Sequence, residues 1–138
     1  CGQTTASQSA SFCRLDADTG QLAVIPGLEF PFEGLRLMGP YWPSPSGERV
    51  GAVLYPQQAL RGDVLPELRL LNLTGESIAS LASAQSIAGA AFSPSERYVA
   101  YLYDQERSLE VYDSTANVRD PVYRSDTAHA ATWLGWVR

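Results

Sequence analysis

The sequence predicts an all-β chain built from a β-propeller-like repeat of four-stranded antiparallel blades, with about three blades visible. Three observations predict it. First, "SPSGERVGAVLY" (44–55) and "SPSERYVAYLY" (93–103) share Ser-Pro-Ser, Glu-Arg and an apolar strand ending in Leu-Tyr. Second, each is followed by another apolar strand, "ELRLLNLTG" (67–75) and "SLEVYDSTA" (108–116). Third, Gly, Pro, Asn, Asp and Ser cluster at the intervals where short strands would turn. Four short strands in about forty residues is the signature of one propeller blade.

Taken in chain order, residues 1–11 are small and polar and read as a flexible tether ahead of a domain over 12–138. Residues 12–36 read as part of a blade, because "FCRLDADTGQLAVI" matches the second strand, turn and third strand of the unit, with Asp16 where Asn72 and Asp113 stand. Cys13 falls in a strand here and reads as a buried, unpaired thiol in preference to its rival, a Cys1–Cys13 disulfide that would close a short loop and stabilise little. Residues 37–82 form a complete blade: a strand ending at Trp42, a Ser-Pro-Ser-Gly turn, the strand "RVGAVLY", and then "LRLLNL" and the edge strand "SIASL". Residues 83–124 repeat that unit, with Phe92 matched to Trp42 and the turn aligned by one gap at Gly47, so that the second copy lacks the glycine. Residues 125–138 open a further blade, with Trp133 about one repeat beyond Phe92. Nearly continuous apolar strands such as "RYVAYLY" are expected where both faces of a sheet are covered.

The pattern aromatic-S-P-S-G-E-R-V-x-A-x-x-Y, then L-x-L-x-N/D-x-x-T-G, resembles the WD40-like repeat of TolB-type propellers. The resemblance spans nearly all of residues 12–138 and implies the fold, not an activity. The Asp usual before the turn glycine is Ser46 in one copy and Ser95 in the other, and loop 56–67 is longer than its counterpart at 104–108. A start reading "CGQTTASQSAS" is similar to a mature bacterial lipoprotein. That likeness implies a lipid on Cys1, an extracytoplasmic place in the cell envelope, and a membrane anchor of two or three acyl chains. Three visible blades fall short of the four a ring usually needs, so either further chain or a partner is expected to cover the open side.

Composition narrows the partners. A net charge of -5 and a pI near 4.7, with ten scattered arginines and no lysine, argue against nucleic acid. No apolar run reaches the roughly 20 residues of a membrane-spanning helix. His129, near Asp126, has no nucleophile or second histidine at a useful spacing. "DADTG" lacks the closing glutamate of a calcium loop, and no metal or other cofactor is expected. The tripeptide Asn72-Leu73-Thr74 is a formal sequon at a turn where both polar residues have structural uses.

The expectation is therefore a non-catalytic, lipid-anchored module that binds protein, an accessory subunit of a membrane-associated complex of the kind that carries electron transfer. Its candidate partner contacts are Arg61, Asp63 and Leu65 in the long Pro-flanked loop, and Trp133 and Trp136 near the C-terminus. "FEGLRLMG" (32–39) is a second candidate surface, and the remaining aromatics, Tyr41 among them, read mainly as packing between blades. Two other classes stay open: the propeller of a larger hydrolase or peptidase, and a glycan- or small-ligand-binding lipoprotein.

Overall fold

The computed structural model describes residues 10–30, 34–56, 64–103, 107–124, 126 and 135–136. Its regular structure is entirely antiparallel β. Strands β1 (Ala10–Leu15) and β2 (Leu22–Phe30) form a hairpin. A four-stranded sheet follows in chain order: β3 (Leu35–Pro43), β4 (Arg49–Pro56), β5 (Glu67–Asn72) and β6 (Ser77–Ser83). A second repeats the plan with β7 (Ile87–Phe92), β8 (Tyr98–Tyr103), β9 (Ser108–Asp113) and β10 (Val118–Arg124).

Alternation along β4 explains why these layers stack. Val50, Ala52 and Leu54 face the hairpin and join Phe12, Leu35 and Leu71 in one core. Val53 points the other way and joins Leu68, Leu70 and Leu81 against Ala90, Phe92, Val99, Tyr101 and Tyr112 of the second sheet. The middle sheet is thus apolar on both faces, as its unbroken run of buried residues anticipates. First strands β3 and β7 lie side by side, so neighbouring sheets meet at corresponding edges.

The three outer turns are chemically alike. Asp16 Oδ1 accepts the backbone N–H groups of Asp18 and Thr19, at 3.0 and 2.8 Å. Asn72 Oδ1 does the same for Thr74 and Glu76, and Asp113 Oδ1 for Thr115 and Ala116. Each turn then needs one left-handed residue before the next strand, supplied by Gly20, Gly75 and Asn117. The correspondence of Asp16, Asn72 and Asp113 holds, and because Asn72 and Asp113 end third strands it places β1 and β2 level with the third and fourth strands of the two larger sheets, not the second and third. "DADTG" is the turn of the β1–β2 hairpin.

Two details of the repeat differ from the sequence alignment. The Ser-Pro-Ser turns have the same length, because Glu96 occupies the left-handed position of Gly47, with φ of 59° against 74°. In both, Ser44 or Ser93 closes the turn with the same pair of bonds to Arg49 or Tyr98. No gap exists, and Val50, Ala52 and Leu54 correspond to Val99, Tyr101 and Tyr103. Pairing of Pro43 with Val50 and of Phe92 with Val99 makes Phe92 the counterpart of Pro43, not of Trp42. Trp42 and Phe92 still meet in one core, entering it from opposite sheets.

Asp113 gives this scaffold an acid limit. Arg97 donates to it from Nη2 at 2.7 Å, and this outweighs the opposing effect of burial; the Ala116 and Thr115 amides add to it. Together they hold its carboxyl at about 2, against an ordinary 3.8. A folded-state value below the unfolded one means the stabilisation is complete above the ordinary value and fades as pH falls towards 2. Glu96 and Asp16 are shifted in the same direction. A thermal midpoint that is flat near neutrality and drops below about pH 4 is expected. Asp113→Asn, which keeps the turn as Asn72 does but loses the ion pair, should flatten that drop in a calorimetric pH series.

Candidate binding groove

The hairpin does not close fully onto the middle sheet, and the gap is a groove of about 660 Å³. One wall is β1, from Phe12 to Leu15; the other is the end of β3 with the Ser-Pro-Ser-Gly turn and the start of β4. Its floor is apolar: Phe12 and Val50 are buried, and Ile25 and Leu73 pack against them. This follows from strand alternation, since the residues that fill the core run out along the same faces until the two walls part.

Tyr41 stands at the edge of the floor, 54% exposed. Phe12 holds it edge-on, at 4.7 Å between centroids and 89° between planes. An exposed aromatic fixed by a buried one offers area at little cost in conformational freedom. Arg14, Glu48 and Arg49 supply the charge. Arg49 is already committed, 3.6 Å from Glu96 and within reach of Ser114 Oγ. Among the described residues Arg14 forms no ion pair and is exposed.

The turn that forms one wall is held from the neighbouring sheet. Glu96 accepts hydrogen bonds from both the backbone N–H and the hydroxyl of Ser46. Burial of this carboxyl opposes its ionisation, but the Ser46 and Ser44 hydrogen bonds and the Arg49 charge prevail, and its pKa is lowered. Ser44 Oγ accepts from Arg49 N, and Ser46 Oγ accepts from Glu48 N while donating to Glu96. Both hydroxyls are therefore spent on shaping the turn.

Of the residues singled out in the sequence, Leu65 and Trp136 are described, both 38% exposed. Leu65 adjoins the exposed Val64 where loop 56–67 rejoins the sheet. Trp136 is anchored: its Nε1 donates to Ala91 O at 3.0 Å, and its ring lies 6.3 Å from that of Tyr98. Cys1, Arg61, Asp63, His129 and Trp133 lie outside the described residues.

One sequence reading is refined and another corrected. Of the candidate surface "FEGLRLMG", residues 35–39 lie in strand β3, where Leu35 is core and Leu37 packs against it. Cys13 is not an unpaired thiol but is disulfide-bonded. Phe12 takes the core-facing position of β1, which turns Cys13 to the opposite face beside the exposed Leu15 and Val24.

The groove itself was not singled out from the sequence. Its one legible clue was Tyr41, grouped there with the packing aromatics. Compared with known proteins, the chain matches no family model and no curated protein sequence.

Proposed function

We propose that this chain is a non-catalytic binding module of the β-propeller type, working outside the cytoplasm as an accessory element of a larger envelope assembly. The observation that supports binding is the groove: an exposed, edge-held Tyr41 over an apolar floor, carried on stacked sheets that share continuous cores. Rigid scaffolds that present an aromatic beside a cleft are the usual means of recognition. The blade reading rests on two consecutive four-stranded meanders packed face to face with their first strands adjacent. The disulfide at Cys13 supports an oxidising compartment.

The lipid anchor is a separate proposal, because a thioether on Cys1 and a bond from Cys1 to Cys13 would need the same sulfur. The mass of the N-terminal peptide from native material, with and without reductant, decides between them. A diacylglycerol mass increment supports the anchor, whereas an unmodified peptide linked to Cys13 removes it and leaves a module held in the envelope by its partner alone.

The binding reading is tested by placing a photoreactive phenylalanine at position 41 in the chain expressed in its native cells. A discrete protein adduct, lost when the same group is moved to the exposed Arg124, is the expected result. No adduct from position 41, with the folded chain present, would overturn it.

A further inference from the structure

We infer that the turn at 93–97 of the second sheet is a carboxylate-binding site, which takes an Asp or Glu side chain of a protein docked on the face of the stack that carries Trp136. The site lies apart from the groove, and neither its geometry nor its test depends on that reading.

The two Ser-Pro-Ser turns are the same object built twice. Ser44 N donates to Arg49 O and Ser93 N to Tyr98 O, each at 2.8 Å; Gly47 N donates to Ser44 O at 2.9 Å and Glu96 N to Ser93 O at 2.8 Å. The hydroxyls of Ser44 and Ser46 lie 3.2 Å apart, and those of Ser93 and Ser95 3.1 Å. Backbones matched this closely aim their free N–H groups alike. At the first turn the outcome is visible: the N–H and the hydroxyl of Ser46 both donate to the Glu96 carboxylate, which arrives from the following sheet. Bonds to a charged acceptor are the strong ones, and two donors converging on one carboxylate select it over a neutral group.

At the second turn the matching donors belong to Ser95, which is exposed and, among the described residues, meets no carboxylate. Its hydroxyl is bonded to Ser93 Oγ, without the added bond that Ser46 Oγ accepts from Glu48 N. Since Val99 packs against the first sheet, Tyr98 points to the other face, and there Trp136 lies against it. Ser95 thus stands to that face as Ser46 stands to the second sheet. Charge sets the kind of ligand. Arg49 lies 3.6 Å from Glu96 at the first turn, but Tyr98 takes its place at the second, and Arg97 is bound to Asp113. With no spare cation beside it, the turn holds a free anion weakly, and a net charge of -5 repels a polyanion. The carboxylate is therefore one delivered by a surface with contacts of its own, as Glu96 is.

The test follows amide resonances of the purified, disulfide-intact chain by NMR at neutral pH. Its probe is a cyclised peptide of the sequence at 93–98, which presents one glutamate in a turn. The Ser95 amide should move downfield and saturate, at peptide concentrations about fivefold below those of acetate, and the same peptide with glutamine should give no saturable shift. The Ser46 amide should stay still in the wild type and respond like Ser95 in Glu96→Gly, where its own carboxylate is gone. Ser95→Ala keeps the N–H but loses the hydroxyl, and should weaken binding about fivefold. A Ser95 amide that stays still while Ser46 of Glu96→Gly responds would overturn the site, as would silence at both turns or an equal response to the glutamine peptide. Acetate binding as tightly as the peptide would overturn the protein ligand, because the turn would then be a small-anion site.

Discussion

Tyr101→Ala is expected to lower the stability of the domain by about 3–5 kcal/mol, the cost of emptying an aromatic site in a packed core. Tyr101 is fully buried at the centre of the interface between the two four-stranded sheets, among Val53, Leu70, Phe92 and Tyr112. Neither sheet can supply a substitute, because the core is built from residues of both. With typical domain stabilities of about 5–15 kcal/mol, the loss is a large share of the total. Urea unfolding should show the midpoint falling with an unchanged slope, the mark of lost stability and not of a changed unfolded state.

The hydroxyl adds a second, separable effect. Tyr101 and Tyr103 both donate to Glu110, each at 2.7 Å. Burial first, and then the Glu110 carboxylate, push the Tyr101 phenol well above its ordinary 10.0, so it stays a donor at any pH the fold survives. Tyr101→Phe preserves the packing and removes one donor, and should cost about 1 kcal/mol. A Phe variant as damaging as the Ala variant would show that the hydrogen bonds to Glu110 within the second sheet, not the packing of the ring between sheets, carry the stability.

Much of this fold was legible because strand alternation records which face is covered. In "RVGAVLY" and "RYVAYLY" neither face is polar, and each of these strands proves to be packed on both sides. The turn residues Asp16, Asn72 and Asp113 were legible for a local reason: one side-chain oxygen captures two backbone donors a few residues on, with no help from the rest of the chain.

What depended on distant residues was not legible. Matching Trp42 to Phe92 by residue type was off by one, because only the hydrogen-bond register shows that they face each other across a shared core. Cys13 looked like core because an unpaired cysteine in a strand commonly is, whereas which of two neighbours points inward is settled by what packs against the strand. The groove joins Phe12, Tyr41 and Leu73, residues brought together by stacking and invisible as a motif.

Glu96 is the sharpest case, and its substitutions give the other large expected effect. A glutamate in the left-handed region is strained by about 1 kcal/mol or more, where glycine would be at ease. The strain is offset by its carboxylate, which bonds twice to Ser46 of the neighbouring turn and faces Arg49. Glu96→Ala keeps the strain and loses the bonds, so a destabilisation of about 1.5–3 kcal/mol is expected, the range for hydrogen bonds to a charged group. Glu96→Gly loses the same bonds but relieves the backbone, and should recover about 1 kcal/mol of that loss. The order wild type, Gly, Ala in unfolding midpoint is therefore the expected result. Gly above wild type would mean that the contact between turns is worth less than the backbone strain it accompanies. A double-mutant cycle with Ser46→Ala isolates the contact itself: the two losses should be strongly non-additive, because either substitution removes the same bond. Since the Glu96 pKa is lowered from 4.5, the coupling should be full at neutral pH and shrink as the medium is acidified below that value. Because Ser46 forms part of the groove wall, the same cycle read by the crosslink from position 41 shows whether the second sheet holds the groove in shape.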